Sequence, residues 1–420
     1  MEAYGIERRN DKKAFQRNMK QKRLMLLGGI RYLLPAIEVA HKYGHKVITV
    51  DYLPNNIAHK YSDEYYNVNI LDKEAVLKLA KELKIDGILS YAVDPGVVTA
   101  AYVAEQMGLP FSCSYESACI LQDKALFRQY LRDNDFNVPN ARGYNQAEDA
   151  LKDVDYFNWP VIVKPVDSAG SKGVSRVDNP EDLGTAIQYA LSESHNGHFI
   201  IEDFLEKEGL SSGSESFFVD GELKYNAFYD QYFDNEAANP YTPSAEIWPT
   251  EKAQSVQDEI KEELQRLGSL LGFRTGLFNI EWRVCKNGKA YLMEVSPRAG
   301  GNRLAEILNY ATDVDIIEAE VLKALGDNIP EIYEPCYNGY YAIYVLHSIV
   351  PGSYEGIEID DAFKNNYVVE RELRVVTGQK IEGFSGANNA IGTLFLKFNT
   401  RNELEENLRN INQFVKIIVK

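Results

Sequence analysis

The sequence predicts a mixed protein, with an open parallel α/β domain at the N-terminus followed by α+β domains. Three patterns predict this fold class. The first 110 residues alternate short apolar runs with helical stretches, as an open parallel sheet does. Residues 113–330 carry β-branched runs joined by Gly-rich and Asn-Gly turns, which are typical of hairpins. Residues 331–420 add further strands and one helix, which we interpret as a small tail domain.

Composition and charge restrict the classes of partner. The chain has 420 residues, enough for two or three domains, with 45% hydrophobic residues and a net charge of -17. This charge argues against nucleic acid or an anionic membrane as the main partner, because both need a basic face. The four cysteines have no zinc or disulfide spacing, and no apolar run suits a signal peptide or a membrane span. We therefore expect a cytoplasmic protein.

The N-terminal α/β domain is predicted over residues 23–112, after an extension of residues 1–22 that forms a helix or a tail. Strands are predicted at residues 24–27, 46–51 and 87–90, and helices at 33–43, 73–83 and 97–107. Ligands of open sheets bind at the carboxyl ends of strands, so Asp94 is expected to line a substrate cleft. A helix N-cap is the alternative role for Asp94. A nicotinamide site is disfavoured because GxGxxG is absent and Arg31-Tyr32 stand where small residues are needed.

The middle of the chain carries lysines in positions that suit phosphate binding. Lys124 lies in the first turn of a predicted helix, where the helix dipole disfavours a cation. Lys164 lies on a predicted strand at residues 159–165, directly before a loop of small residues at 167–174. Backbone N–H groups of such a loop can wrap phosphate oxygens, and Lys172 adds charge, although the loop is not a Walker A motif. A plain hairpin turn is the alternative.

Residues 275–303 predict a metal site. Asn287-Gly288 predicts a type I′ hairpin turn, with Lys286 facing Lys289. The resulting register sets Glu281 opposite Glu294, and Asn279 opposite Ser296, all on one face. Opposed carboxylates repel unless a cation bridges them, and oxygen ligands indicate Mg²⁺ or Mn²⁺. The same face continues to Arg298, after which residues 299–302 let backbone approach a bound group; we expect the substrate at Gly300, Gly301 and Asn302.

The remaining elements follow from periodicity. Residues 225–248 have no clear period and are expected to form a loop over a site, and residues 251–271 have helical spacing. Other strands are predicted at 199–205, 338–350, 368–376, 390–398 and 415–419, a hairpin at 215–223, and helices at 314–325 and 401–412.

Taken in order, these motifs resemble the ATP-grasp superfamily, in the branch of carbamoyl-phosphate synthase large chains, biotin carboxylase and amino-acid ligases. The resemblance implies an ATP-grasp domain at residues 113–330, with a mobile lobe at about 155–222. It implies that Lys124 and Lys164 contact the α- and β-phosphates of ATP. The loop expected to close over the γ-phosphate consists of Ser168, Ala169, Gly170, Ser171, Lys172 and Gly173. The backbone expected to read adenine consists of Glu202, Asp203, Phe204 and Leu205.

The resemblance also implies the remaining roles. Glu215 would bind the ribose hydroxyls, and Glu281 and Glu294 would hold two Mg²⁺. Arg298 would reach the transferring phosphoryl group or the substrate carbonyl oxygen. The family commonly has asparagine where this chain has Ser296. We therefore expect Asn279 and Ser296 to share metal ligation, the alternative being that Asn279 only hydrogen-bonds neighbouring backbone.

The implied activity is an ATP- and Mg²⁺-dependent ligase. A small carboxylate, such as an amino acid, attacks the γ-phosphoryl group of ATP, and an amine captures the resulting acyl phosphate. The alternatives are phosphorylation of bicarbonate or a carbamate, a nucleotide-binding regulatory protein without turnover, and, as an outsider, a dehydrogenase. The expected partners are a small carboxylate and an amine, with a homodimer left open and no nucleic acid or membrane.

Overall fold

The computed structural model describes residues 20–168 and 172–420. The predicted N-terminal extension therefore lies, up to residue 19, outside the described residues. The helices are α1 Leu34–Lys42, α2 Lys73–Leu83, α3 Val97–Met107, α4 Tyr115–Gln122, α5 Lys124–Asp133, α6 Ala147–Lys152, α7 Leu183–Glu193, α8 Gln254–Leu270, α9 Leu304–Ala311, α10 Ile316–Ala324, α11 Asp361–Tyr367, α12 Arg401–Arg409 and α13 Ile411–Phe414.

The strands of the first half are β1 Arg23–Leu27, β2 Lys46–Val50, β3 Glu64–Tyr66, β4 Gly87–Leu89, β5 Ala141–Tyr144, β6 Val161–Pro165, β7 Ser175–Val177, β8 Phe199–Asp203, β9 Ser211–Val219 and β10 Glu222–Phe233. Those of the second half are β11 Pro243–Trp248, β12 Gly276–Val284, β13 Ala290–Ser296, β14 Tyr340–Leu346, β15 Gly352–Ile359, β16 Val368–Leu373, β17 Lys380–Ile381, β18 Gly392–Phe398 and β19 Val415–Val419.

The N-terminal domain is an open parallel sheet, as predicted. Its strand order is β3-β2-β1-β4, and the three pairings are parallel. The strands are short and buried on both faces, which is why they read as continuous apolar runs such as Leu24–Met25–Leu26–Leu27. Parallel strands bring their carboxyl ends to one edge of the sheet, so the segments after β1 and β4 lie at the same edge.

A second, smaller sheet forms a separate lobe. Its order is β5-β8-β6-β7, and the pairings are antiparallel. The helix α7 covers one face and buries Leu183, Ile187 and Ala190 in a core shared with Val161 and Val163. This lobe carries Lys164 on β6 and Glu202 on β8.

The largest sheet has eight strands in the order β13-β12-β9-β10-β11-β14-β18-β16. It is continuous across residue 330, because β11 pairs with β14. Three strands of the predicted tail domain therefore belong to the same sheet as the strand pair that carries Glu281 and Glu294. The remaining tail strands form a small sheet of order β17-β15-β19.

The prediction of a loop at residues 225–248 is wrong. Most of this stretch forms β10 and β11, which lie inside the eight-stranded sheet. Residues 225–231 of β10 are all buried, so both faces of the strand are covered. A strand covered on both faces lacks the alternation of polar and apolar residues by which strands are recognised.

The predicted type I′ turn at Asn287-Gly288 is also wrong. Only Gly288 has a positive φ, +75°, whereas a type I′ turn needs positive φ at both central residues. Cys285, instead of Lys286, bonds to Lys289, so the loop has three residues. A bulge between Trp282 and Glu281 then restores the predicted register farther along the hairpin. The predicted hairpin beginning at residue 215 does have such a turn, at Asp220-Gly221.

The two faces of the eight-stranded sheet have different roles. Helix α8 covers one face, where Gly268 approaches Phe218, and Phe218 packs against Phe278. We call the opposite face the cleft face; one row of paired positions across it holds Glu294, Glu281, Gly213 and Tyr229, and the ring of Tyr229 packs against Trp248. Within the described ranges, no helix is both long and apolar enough to cross a membrane.

Candidate active site

Two glutamates face each other at the edge of the cleft face. Glu281 on β12 pairs with Glu294 on β13, as predicted. Desolvation within the cleft and repulsion from Glu294 raise the pKa of the Glu281 carboxyl. Lys124 Nζ lies 3.9 Å from Glu294 Oε2, so one cation of the protein already faces the pair.

The pair has the chemistry of a divalent cation site. Its ligands are carboxylate oxygens, which Mg²⁺ and Mn²⁺ prefer, and a bound cation would relieve the repulsion that raises the pKa of Glu281. Among the described residues, no group of three or more His, Cys, Asp or Glu side chains is placed to hold a metal. The two glutamates would therefore hold the cation together with substrate oxygens or water.

The structure does not support Asn279 and Ser296 as metal ligands. Ser296 is fully buried; its hydroxyl accepts a hydrogen bond from Gln122 Nε2 at 2.8 Å and donates one to Asp94 Oδ1 at 3.3 Å. Asn279 donates from Nδ2 to Glu215 and accepts at Oδ1 from Arg298. Both side chains are already used in holding other residues of the site. The prediction that Asn279 and Ser296 lie on the same face as the two glutamates is correct. The sequence did not reveal the hydrogen-bond partners of the two side chains.

Arg298 is fixed by residues from two domains. Its Nε and Nη2 lie 2.7 and 2.6 Å from Asp94 Oδ1, and its Nη1 lies 3.2 Å from Asn279 Oδ1. Asp94 follows β4 at the carboxyl edge of the parallel sheet, as expected for a residue that lines a cleft. It does not cap a helix, because Gly96 is the N-cap of α3. The pair thus joins the N-terminal domain to the exit of β13.

The burial and the hydrogen bonds of Glu215 do not support the predicted contact with ribose. Glu215 is fully buried, and Gly300 N donates to both of its oxygens at 3.0 and 3.1 Å. Asn279 Nδ2 donates to Oε1 at 2.7 Å. Burial raises the pKa of Glu215 to about 7, although these donors partly oppose the shift. The role we see is structural: Glu215 holds the loop that follows Arg298.

The contact between residue 300 and Glu215 requires a glycine at position 300. A Cβ at Gly300 would lie 2.4 Å from Leu304 Cδ1 and 2.5 Å from Glu215 Oε1. The prediction that this glycine makes room for a ligand is therefore not supported. Gly301 is less crowded, because the nearest atom to its Cβ position is Tyr32 Cε2 at 3.8 Å.

Lys124 joins helix α5 to the predicted phosphate loop. Asp123 caps the helix by accepting from Ala125 N and Leu126 N at 2.8 and 2.9 Å. Lys124 N donates to Val166 O, and Nζ donates to Ser168 O at 2.8 Å. The lysine therefore lies between the loop and Glu294, where a phosphate chain coordinated by a cation would pass.

The loop itself is only partly described. Ser168 donates from Oγ to Glu193 O, Lys172 is exposed, and Gly173 has a φ of +70°. A Cβ at Gly173 would lie 2.7 Å from Pro165 Cγ, so glycine is needed there for two reasons. The predicted contacts of Ala169, Gly170 and Ser171 lie outside the described residues.

Lys164 belongs to a buried charge network. Its Nζ contacts Glu202 Oε1, and Arg128 Nε donates to Glu202 Oε2 at 3.0 Å. Burial lowers the pKa of Lys164 to about 8, while Lys164 and Arg128 overcome burial and lower the pKa of Glu202 to about 2. Arg128 Nη1 also donates to Met293 O, next to Glu294. The network thus ties the smaller lobe to the strand that carries the glutamate pair.

The segment predicted to read adenine runs directly on from this network. Asp203 N donates to Asn140 O and Phe204 N to Pro160 O, both at 2.9 Å. The Asp203 carboxylate accepts from Asn158, and the guanidinium of Arg176 lies 4.4 Å from the Phe204 ring centre. These two N–H groups are used by the fold, so they do not serve the predicted adenine contact.

Asn302 connects the loop that follows Arg298 to Glu246, another carboxylate of the cleft face. It has a φ of +51°, and its Nδ2 donates to Glu246 Oε1 at 2.9 Å. Burial raises the pKa of Glu246 to about 8, against the opposing effect of Asn302. Tyr32 OH, from the N-terminal domain, donates to Asn302 Oδ1 at 3.3 Å.

Sequence reasoning missed three residues of the site. Gln122 binds Ser296, Arg128 binds Glu202, and Glu246 binds Asn302. Arg128 is four residues from Lys124 on α5, and this helical spacing was a usable signal. Glu246 lies in the stretch predicted as a loop, where no sequence pattern indicated a role for it in the site.

Comparison with known proteins gives a consistent result. Residues 157–306 match the model of the ATP-grasp domain, so the predicted resemblance and fold class are confirmed. The carbamoyl phosphate synthase large chain of Thermotoga petrophila is 23% identical over 292 residues, 69% of this chain and 26% of that protein. The chain thus spans about a quarter of the length of such curated relatives.

Solved structures share the fold over nearly the whole chain. The L-amino acid ligase from Bacillus licheniformis has a TM-score of 0.78 at 21% identity, covering 96% of this chain and 100% of that one. The biotin carboxylase domain of 2-oxoglutarate carboxylase from Hydrogenobacter thermophilus, solved with MgADP and bicarbonate, has a TM-score of 0.72 at 16% identity, covering 96% and 92%.

Proposed function

We propose, from the ATP-grasp domain that this chain carries, that the protein is an ATP-dependent carboxylate–amine ligase. The observation that carries the proposal is the opposed pair Glu281 and Glu294, with Lys124 Nζ 3.9 Å from Glu294 and the Lys164 network on the adjoining lobe. Two carboxylates with facing lysines suit a cation and a phosphate chain between two lobes.

The reaction has two steps. A carboxylate oxygen of the first substrate attacks the γ-phosphorus of ATP, the bond to the bridging oxygen breaks, and ADP leaves. An amine nitrogen then attacks the carbonyl carbon of the acyl phosphate, phosphate leaves, and the nitrogen loses a proton. Neither step needs a covalent bond to the protein, so alignment and charge neutralisation carry the catalysis.

The residues divide these tasks. Glu281 and Glu294 would hold Mg²⁺, which supplies charge neutralisation at the phosphates when bound. Lys124 and Lys164 contribute positive charge to the phosphate chain, and the backbone near Leu205 receives adenine. Arg298, held in one orientation by Asp94 and Asn279, presents its guanidinium edge to the carbonyl oxygen or the transferred phosphoryl group.

One alternative has support of its own. The curated relatives are carbamoyl phosphate synthase large chains, which makes bicarbonate the second candidate for the phosphorylated carboxylate. In this alternative the first step is the same, with bicarbonate as the attacking oxyanion. Assembly as a homodimer and a cytoplasmic location stay predictions of the sequence.

Product analysis tests the proposal. The protein is incubated with ATP, Mg²⁺ and pairs of small carboxylates and amines, and the products are measured by phosphate release and mass spectrometry. The expected result is an amide formed with one ADP and one phosphate per bond. Phosphate release that depends on bicarbonate alone would favour the alternative, and no ATP turnover with any pair would reject both.

A further inference from the structure

Two cations without an anionic partner lie beside the glutamate pair. Arg283 follows Glu281 by two residues on β12, so both side chains project from the cleft face. Within the described part of the chain, the Arg283 guanidinium forms no ion pair, and its Nε is buried without a hydrogen-bond partner. Lys207 Nζ lies 4.7 Å from the centre of the Phe233 ring and, among the same residues, also forms no ion pair. Both cations lack a counter-charge although the protein has a net charge of -17.

The two cations belong to one cluster of positive charge. The backbone of Lys207 bridges to Cys285, which lies two residues beyond Arg283. Burial and the positive charges of Arg283 and Lys252 lower the pKa of the Lys207 ammonium group. Lys207 is exposed and Arg283 is half-buried, so a ligand in the cleft can reach both. Since cations that repel each other are stabilised by an anion between them, the cluster indicates an anion-binding site.

The cluster lies between the glutamate pair and the segment predicted to read adenine. That segment continues into residues 206–208, which pair with the end of β12. Glu208 N donates to Val284 O at 2.8 Å, and Lys286 N donates to Glu206 O at 2.9 Å. Arg283 is thus displaced from Glu281 toward the adenine segment, by roughly 7 Å along the strand.

The lysines first expected at the α-phosphate already have partners. Lys164 Nζ contacts Glu202 Oε1 in the buried network. Lys124 Nζ donates to Ser168 O at 2.8 Å and lies 3.9 Å from Glu294 Oε2. Their charges are therefore partly compensated within the protein, whereas the charge of Arg283 is not.

We propose that Arg283, together with Lys207, binds the α-phosphate of the nucleotide. This inference rests on the proposed function, because it requires ATP in the cleft. The α-phosphate is the phosphate next to adenosine, and Arg283 is the cation between the glutamate pair and the adenine segment. A guanidinium group can donate to two phosphate oxygens at once, and Lys207 adds a second charge. The contact uses cations of the protein, so it should persist without Mg²⁺.

Calorimetry with AMP and adenosine in EDTA tests the inference. The two ligands differ only in the α-phosphate, and EDTA removes any contribution of Mg²⁺. The wild-type protein should bind AMP roughly 10- to 150-fold more tightly than adenosine, the value of a charge-assisted contact. Arg283→Gln should lower the affinity for AMP by a factor in the same range. Its affinity for adenosine should be unchanged, which also shows that the fold is kept.

Two further variants serve as controls. Arg371 is an exposed arginine on β16, at the opposite edge of the eight-stranded sheet, and it forms no ion pair with any described residue. Arg371→Gln makes the same change in net charge as Arg283→Gln and should leave both affinities unchanged. Arg283→Lys keeps the positive charge and should retain more of the preference for AMP than Arg283→Gln does.

The outcomes separate this inference from the proposed function. If the wild-type protein binds neither ATP with Mg²⁺ nor AMP, the proposed function fails. If it binds ATP with Mg²⁺ but binds AMP no more tightly than adenosine, only the inference about Arg283 fails. Unchanged AMP affinity in Arg283→Gln would also overturn the inference and leave the guanidinium to balance the charge of Glu281. An equal loss in Arg371→Gln would overturn it too, because net charge alone would then explain the preference.

Discussion

The guanidinium of Arg298 lies against the carboxylate of Asp94, at 2.6 and 2.7 Å, although 204 residues separate the two in the chain. Their side chains are 8% and 23% exposed. The contact joins the carboxyl edge of the parallel sheet to the end of β13. It therefore sets the orientation of the arginine and the docking of the N-terminal domain at once.

Asp94→Ala should destabilise the protein. Removing one partner leaves the buried guanidinium uncompensated, which costs about 3 kcal/mol, at the low end of values for buried pairs because Asp94 is partly exposed. Urea unfolding measures the loss. Asp178→Ala is the control, because it removes the exposed partner of Arg176 and should change stability little. Equal effects of the two variants would contradict a special role for the Asp94 contact.

Lys164→Met should weaken ATP binding. Loss of a charge-assisted contact to phosphate costs roughly ten- to 150-fold in affinity, measured by calorimetry with ATP. Lys323→Met is the matched control, because Lys323 also forms a buried pair with a glutamate, Glu320, but lies outside the cleft. Unchanged ATP affinity in Lys164→Met would leave Lys164 with only its structural bond to Glu202.

Glu294→Gln should abolish Mg²⁺ binding while the fold is kept. The substitution removes half of the charge that faces a cation and also removes the repulsion on Glu281. The metal-free protein is expected to gain from a few tenths of a kcal/mol to about 1 kcal/mol in unfolding free energy. Calorimetry with Mg²⁺ and urea unfolding in EDTA measure the two effects. Wild-type Mg²⁺ affinity in this variant would reject the metal assignment.

Ser296→Ala should leave Mg²⁺ affinity unchanged. The Ser296 hydroxyl is fully buried and already bonded to Gln122 and Asp94, so its loss should lower stability without touching the cation. The same titration as for Glu294→Gln provides the comparison. A raised Mg²⁺ requirement in Ser296→Ala would restore the ligand role that the sequence suggested.

Local patterns predicted the parts of the site that lie within one hairpin or one strand. Glu281 and Glu294 could be paired because strand alternation has a period of two residues. The predicted turn was wrong, but the bulge near Trp282 shifts the register back, so the predicted pair is still correct. Contacts between distant segments left no such signal. The partners Gly300 and Glu215 are 85 residues apart, and a buried glutamate looks the same in sequence as an exposed one. The roles of Glu215, Asn279 and Ser296 could therefore not be predicted.

The last prediction concerns the pH dependence of stability. Burial raises the pKa of Glu246 to about 8 from an ordinary value of 4.5, so the native state keeps a proton that the unfolded chain has lost. The contribution of Glu246 to the unfolding free energy therefore falls as pH rises from about 4.5 to about 8, and becomes level above that range.

Glu246→Gln cannot ionise, so it should lack this fall. The unfolding free energy of the variant minus that of the wild type should increase with pH across the window, by an amount on the order of a few kcal/mol. Glu215, whose pKa is raised to about 7, contributes equally to both proteins and cancels in the difference. Urea unfolding at pH 5 to 9 without substrates measures the two curves. Parallel curves would show that Glu246 ionises normally, in contact with water.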